Sequence, residues 1–101
     1  MSLTALFKQK TVFSLEVFPP KKDSPTDAIL PTLKRLQSLQ PDFISVTLGA
    51  GGTNHCDGTV AVCDLIQNQL NIPAVSHVPG LYQSKDQVLA LLDRLDQIHV
   101  K

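Results

Sequence analysis

Three polar side chains recur at nearly equal intervals in this sequence: Glu16, Thr47 and His77, 31 and 30 residues apart. Each lies at the end of a short apolar run. In parallel α/β proteins the chemistry gathers at the carboxyl ends of the strands, so the recurrence places all three where a site would form. Glu16 stands among Phe13, Leu15, Val17 and Phe18, just before Pro19-Pro20. A carboxyl in apolar company is costly to ionise, keeps its proton and can donate it to a substrate. An ion pair with Lys21 or Lys22 accounts for the same residue without chemistry.

The stretch Gly49-Ala50-Gly51-Gly52-Thr53 holds three of the five glycines. Ahead of a helix, such a loop can run close to a phosphate or cofactor, or simply make a tight turn. It matches neither the dinucleotide fingerprint nor the Walker pattern. His77, in PAVSHVPG, suits either a packing hydrogen bond or contact with a phosphate or flavin ring. His55 falls in a loop and His99 at a helix end, and both have weaker claims. Cys56 and Cys63 are the only cysteines. Seven residues apart on a helix they lie two turns from each other, too far for a disulfide. With His55 they lack zinc-ligand spacing, so no metal site is expected.

Three strands must present these residues. Short runs rich in β-branched or aromatic residues mark them at 12–18, 43–48 and 74–78. Helices are predicted over 26–39, 59–70 and 85–98. Their apolar stripes are Ile29, Leu33, Leu36 and Leu39; then Val62, Ile66 and Leu70; then Val88, Leu91, Leu92, Leu95 and Ile98. Pro31 implies a kink or a late start in the first helix. Ser84 with Gln87 forms a capping box before the third. MSLTALFKQK reads as a short amphipathic lead-in without the apolar core of a signal peptide.

The order βαβαβα with short loops implies parallel strands joined by right-handed crossovers. The strands alternate: Ser14, Glu16 and Phe18 take one face of the first, Ser45 and Thr47 one face of the second, and apolar residues the opposite faces. A sheet with helices on both sides would be apolar on both. The pattern therefore favours the first three units of a (β/α)8 TIM barrel, incomplete at 101 residues where about 250 are usual. An α+β sheet with one wet face is the simpler alternative.

Composition narrows the partners. Nine basic residues balance nine acidic ones, leaving no electrostatic footprint for nucleic acid or an anionic membrane. No apolar run is long enough to span a bilayer. With 43% hydrophobic and 18% charged residues the chain is globular, and two cysteines without an export signal suit the cytoplasm.

Taken together, FSLEVFPPKK, LQPDFISVTLGAGGT and IPAVSHV resemble the N-terminal segment of the methylenetetrahydrofolate reductase catalytic domain, over nearly the whole of residues 1–101. The resemblance implies a barrel that binds FAD, takes hydride from NADH or NADPH, and reduces 5,10-methylenetetrahydrofolate to 5-methyltetrahydrofolate, in one-carbon and methionine metabolism. It implies Glu16 as the acid that opens the folate's five-membered ring, Thr47 as a contact to the flavin ring, and Gly49, Ala50, Gly51, Gly52, Thr53 and His77 as lining of the FAD site. Leu15 and Val17 replace phenylalanines frequent in the family, Asn54-His55 stand where arginine is common, and Val78-Pro79-Gly80 replace Leu-Thr-Cys. The chain ends at Lys101, before a strand whose family counterpart ends in a flavin-contacting Gly-Asp. The expectation is that the isolated chain is inactive and associates, with itself or with a complementary barrel fragment. A non-catalytic remnant and an unrelated phosphate-binding α/β protein are the competing readings.

Overall fold

Burying three apolar strand faces under helices leaves the sheet's other face to be defined by what remains, and that division organises this chain. The computed structural model describes residues 2–20, 25–48, 56–80 and 83–100. Three strands, β1 (Ser14–Val17), β2 (Phe43–Val46) and β3 (Ala74–Ser76), form a parallel sheet in the order β1-β2-β3. Among the described residues four α-helices accompany them: α1 (Leu3–Gln9), α2 (Leu30–Gln37), α3 (Cys56–Asp64) and α4 (Lys85–Gln97). No helix among the described residues is long and apolar enough to cross a membrane.

The lead-in is a helix, which βαβαβα omitted. Ser2 caps α1 by accepting from the Ala5 N–H at 3.2 Å. No residue of α1 is buried. It is fastened at its end: Lys10 Nζ reaches Asp42 Oδ1 at 2.9 Å, and the Phe13 N–H donates to Asp42 Oδ2 at 2.9 Å. That backbone N–H, and then Lys10, hold the Asp42 carboxyl below the usual carboxylate range. Phe7 meets Phe43 edge-to-face at 6.4 Å.

Pro31 produces the late start. A 3₁₀ turn (Thr26–Ile29) precedes α2, so the proline falls in the first helical turn, where its missing N–H costs no bond. α3 runs on into a π turn (Leu65–Gln69). The wider turn presents Gln67 Oε1 to the Ala74 N–H at 3.0 Å and Asn68 Nδ2 to the Ile98 carbonyl at 2.9 Å, tying α3 to the start of β3 and the end of α4. The capping box of α4 is present in full. Each of the three later helical segments is followed by a non-glycine residue with positive φ: Gln40, Asn71 and His99.

The core lies on one side of the sheet. Leu33, Ile44, Val46, Val62, Cys63 and Ile66 are wholly inaccessible, with Leu91 and Leu95 nearly so. Two stripe residues depart from the expectation: Leu39 and Leu92 are 56% and 47% exposed. Leu39 lies past the last turn of α2, and Leu92 lines a groove of about 550 Å³ beside β3, α4 and the start of α1. Burial in β2 alternates, with Ile44 and Val46 enclosed while Phe43 and Ser45 are half-buried. Ser14, Glu16, Ser45 and Val75 share the opposite face, as the parallel register requires.

Candidate active site

The open face is polar at its carboxyl end because the pleat and the register act together. Glu16 in β1 is the direct partner of Ser45 in β2, and Ser45 in turn of Val75 in β3. His77, two residues beyond Val75, keeps the same face just past the end of β3. Its backbone N–H donates to the Val46 carbonyl at 3.0 Å, which continues the ladder one step and fixes where the imidazole begins.

These placements bring Glu16, Ser45 and His77 together. Ser45 Oγ donates to Glu16 Oε1 at 3.1 Å. His77 Nε2 lies 3.1 Å from the same oxygen. The side chains of His77 and Glu16 are 43% and 53% exposed. Glu16 is therefore not enclosed by its sequence neighbours. Leu15 and Val17 turn to the helical side and pack against the core, and the carboxyl projects from the other face. Lys21 and Lys22, the alternative partners, lie outside the described residues. Both contacts to Glu16 come from strands far along the chain.

Thr47 sits at the same end of the sheet but in different surroundings. It is 5% exposed. Its N–H donates to the Val17 carbonyl at 3.1 Å, and its carbonyl accepts from Thr59 Oγ1 at 2.8 Å. Its own Oγ1 is buried and has no hydrogen-bond partner among the described residues, a costly condition for a hydroxyl. Thr47 does not join Glu16 and His77 in a direct contact. Gly49, Ala50, Gly51, Gly52 and Thr53 lie outside the described residues.

Two residues here stand outside the expected site set. Ser45 was marked in the sequence only as a polar residue on the Glu16 face, within the FISVT run. Thr59, fully buried in the first turns of α3, reaches back across the loop to Thr47. A threonine one turn into a helix after a glycine loop is the pattern that could have indicated it. On the helical side, burial pushes the Cys63 thiol up to about 11, with the Ser76 hydroxyl offsetting part of the effect, so this cysteine stays protonated and unreactive.

The arrangement offers a half-exposed carboxyl that accepts from the Ser45 hydroxyl and lies 3.1 Å from the His77 imidazole, beside a buried hydroxyl left to be satisfied, at the carboxyl ends of parallel strands. A family model described as methylenetetrahydrofolate reductase matches residues 2–101. The chain belongs to the methylenetetrahydrofolate reductase family. It is 33% identical over 69 residues to a probable methylenetetrahydrofolate reductase (NADH) of Oryza sativa, an alignment covering 68% of this chain and 11% of the relative. With the 5,10-methylenetetrahydrofolate reductase of Pectobacterium carotovorum it shares 31% over 75 residues, covering 74% of the chain and 25% of that protein. With methylenetetrahydrofolate reductase 1 of Schizosaccharomyces pombe it shares 29% over 89 residues, covering 87% and 15%. The chain thus spans a quarter or less of the length of these reductases, and its parallel sheet is compatible with the start of a (β/α)8 barrel.

Proposed function

We propose that this chain supplies the first strand–helix units of a (β/α)8 barrel that reduces 5,10-methylenetetrahydrofolate to 5-methyltetrahydrofolate, with Glu16 as the acid. The observation that carries the reading is the Glu16 carboxyl, held on the uncovered sheet face by Ser45 and His77, in a chain of this family. A protonated carboxyl there can donate to a folate ring nitrogen as the five-membered ring opens. The site is exposed on the three strands alone. Further units would enclose it and strengthen every electrostatic contact within it. The outer edge of β3 and the adjoining groove with exposed Leu92 are where such a unit would pack.

The cofactor implied is FAD, which when bound supplies the hydride chemistry between NADH or NADPH and the folate. The residues present fit such a group at one point: the unsatisfied, buried Thr47 Oγ1 at the end of β2 is a hydroxyl able to give or take a hydrogen bond from a polar ring edge. Gly49, Ala50, Gly51, Gly52, Thr53 and His77 complete the proposed lining. His77 has one ring nitrogen engaged with Glu16, which leaves only its other nitrogen for a ligand.

By this reading the 101-residue chain alone does not turn over, and it acts with the remaining barrel units, on the same polypeptide or on a complementary one. Grafting residues 2–101 onto the remainder of a bacterial relative tests it. The graft is expected to retain yellow flavin absorbance through desalting and to reduce methylenetetrahydrofolate. In it, Glu16→Gln should lower folate reduction by about 10²–10⁴-fold while NAD(P)H-to-dye electron transfer stays within about twofold. Equal loss of both half-reactions refutes the acid role. A colourless graft refutes the reductase reading in favour of a non-catalytic piece.

A further inference from the structure

A carboxylic acid has two unlike oxygens: one accepts hydrogen bonds and the other carries the proton. The two contacts on Glu16 fall on one oxygen. Ser45 Oγ donates to Oε1 at 3.1 Å, and His77 Nε2 lies 3.1 Å from Oε1. We infer that Ser45 is a positioning residue for the acid: together with His77 it holds Oε1 as the accepting oxygen, so that the transferable proton resides on Oε2. The inference rests on the acid role proposed above for Glu16.

The geometry behind it is built into the sheet. Ser45 is the registered partner of Glu16, so its hydroxyl reaches the carboxyl from the adjacent strand without any adjustment of the backbone. Ser45 is half-buried, whereas Glu16 is exposed, so the serine is the more firmly placed of the two. His77 is placed by the ladder bond from its N–H to Val46. An oxygen that accepts from the Ser45 hydroxyl and lies 3.1 Å from His77 Nε2 is the less favourable place for a proton, because protonation there weakens it as an acceptor. Oε2 has no contact of this kind among the described residues, and it is the oxygen left to face a substrate. Transfer then breaks the Oε2–H bond and forms an N–H bond on the substrate. The resulting carboxylate keeps the Ser45 hydrogen bond and the His77 contact at Oε1, so the group does not reorganise as it changes charge.

The inference requires a proton on His77 Nε2, and this is measurable without turnover. In the ¹⁵N-labelled 101-residue chain at neutral pH, long-range ¹H–¹⁵N correlation should show His77 protonated at Nε2, with His55 and His99 distinguished by His→Gln variants. Ser45→Ala frees the carboxyl to rotate and should shift the Nε2 signal toward a tautomer mixture, while Ser45→Thr, which restores a hydroxyl, should return it. In the grafted enzyme, Ser45→Ala should lower folate reduction about tenfold, the scale of one hydrogen bond to a charged group. Dye reduction by NAD(P)H should change less than about twofold, and Ser45→Thr should recover most of the loss. A bare Nε2 overturns the inference, because Oε1 would then have to be the donor. So does an activity loss that falls equally on both half-reactions or persists in Ser45→Thr. If Glu16→Gln leaves folate reduction intact, the acid role fails instead, and the His77 spectrum still decides separately which oxygen accepts.

Discussion

Thr59 is the residue whose replacement most directly tests how the end of β2 is held. Its side chain is fully buried, and Oγ1 donates at 2.8 Å to the carbonyl of Thr47, itself 5% exposed. Thr59→Val removes the donor at almost constant volume and leaves that carbonyl buried without this partner. An unsatisfied buried acceptor costs about 1–3 kcal/mol, and the added methyl recovers up to about 0.8 kcal/mol of burial, so a net loss of about 1–2 kcal/mol is expected. Urea unfolding followed by circular dichroism reads this directly: with a slope of about 1–2 kcal/mol per molar for a chain of this size, the midpoint should fall by about 1 M. Thr59→Ser separates the hydrogen bond from packing. It loses a methyl, worth about 1 kcal/mol, yet keeps the donor. The ¹³C shift of the Thr47 carbonyl should therefore move in Thr59→Val and stay in place in Thr59→Ser. A Thr59→Val protein as stable as the parent, or an unmoved Thr47 carbonyl, refutes the claim that this bond secures the strand-to-helix crossover.

Two further substitutions probe the frame. The Asp42 carboxyl is held below its usual range by the Phe13 N–H and Lys10, so its stabilising effect is present above the unfolded carboxyl value of about 3.9 and disappears as pH falls through the lower folded value. Asp42→Asn lacks that effect, and the stability gap between parent and variant, measured by urea unfolding at a series of pH values, should close below about pH 4; parallel curves would count against the clasp. Gln40 holds φ at 55°, a left-handed conformation that costs a side-chain-bearing residue about 1–2 kcal/mol. After allowing for the greater unfolded-state freedom of glycine, Gln40→Gly should raise stability by about 0.5–1 kcal/mol; a lower melting temperature would show that the Gln40 side chain contributes more than its backbone strain costs.

Much of this frame was legible in the sequence because its signals are local. The three strands lie within their expected segments, shortened because pairing stops where the chain leaves the sheet toward its helices. Ser84 and Gln87 form their box because both partners lie within one turn. Pro31 dictated a late helical start through the geometry of its own ring. What escaped notice depends on contacts from afar. No residue of α1 is fully buried, and what joins it to the rest lies far along the chain: Asp42, 32 residues from Lys10, and Phe43 against Phe7. The π turn serves Gln67 and Asn68, whose partners in β3 and beyond α4 cannot be found by periodicity. Leu92 satisfied the helical period, but period alone does not say whether another element covers the stripe.

The site shows the same division more sharply. Intervals of 31 and 30 residues set Thr47 level with Glu16, whereas the sheet pairs Glu16 with Ser45, a separation of 29. A shift of two residues preserves the face, which is why the polar side of the sheet could be read correctly while the neighbour on it could not. It also changes what each residue can do. Ser45, at the level of the carboxyl, can bond to it. Thr47, one step farther along, instead meets the start of α3 through its carbonyl and keeps a buried hydroxyl in reserve. The acid and the hydroxyl proposed for the flavin are thus separated by one pleat repeat along the strands, about 7 Å. Under the proposed roles, that separation lets the carboxyl end of the sheet address two chemically distinct partners without their protein ligands competing for the same hydrogen bonds.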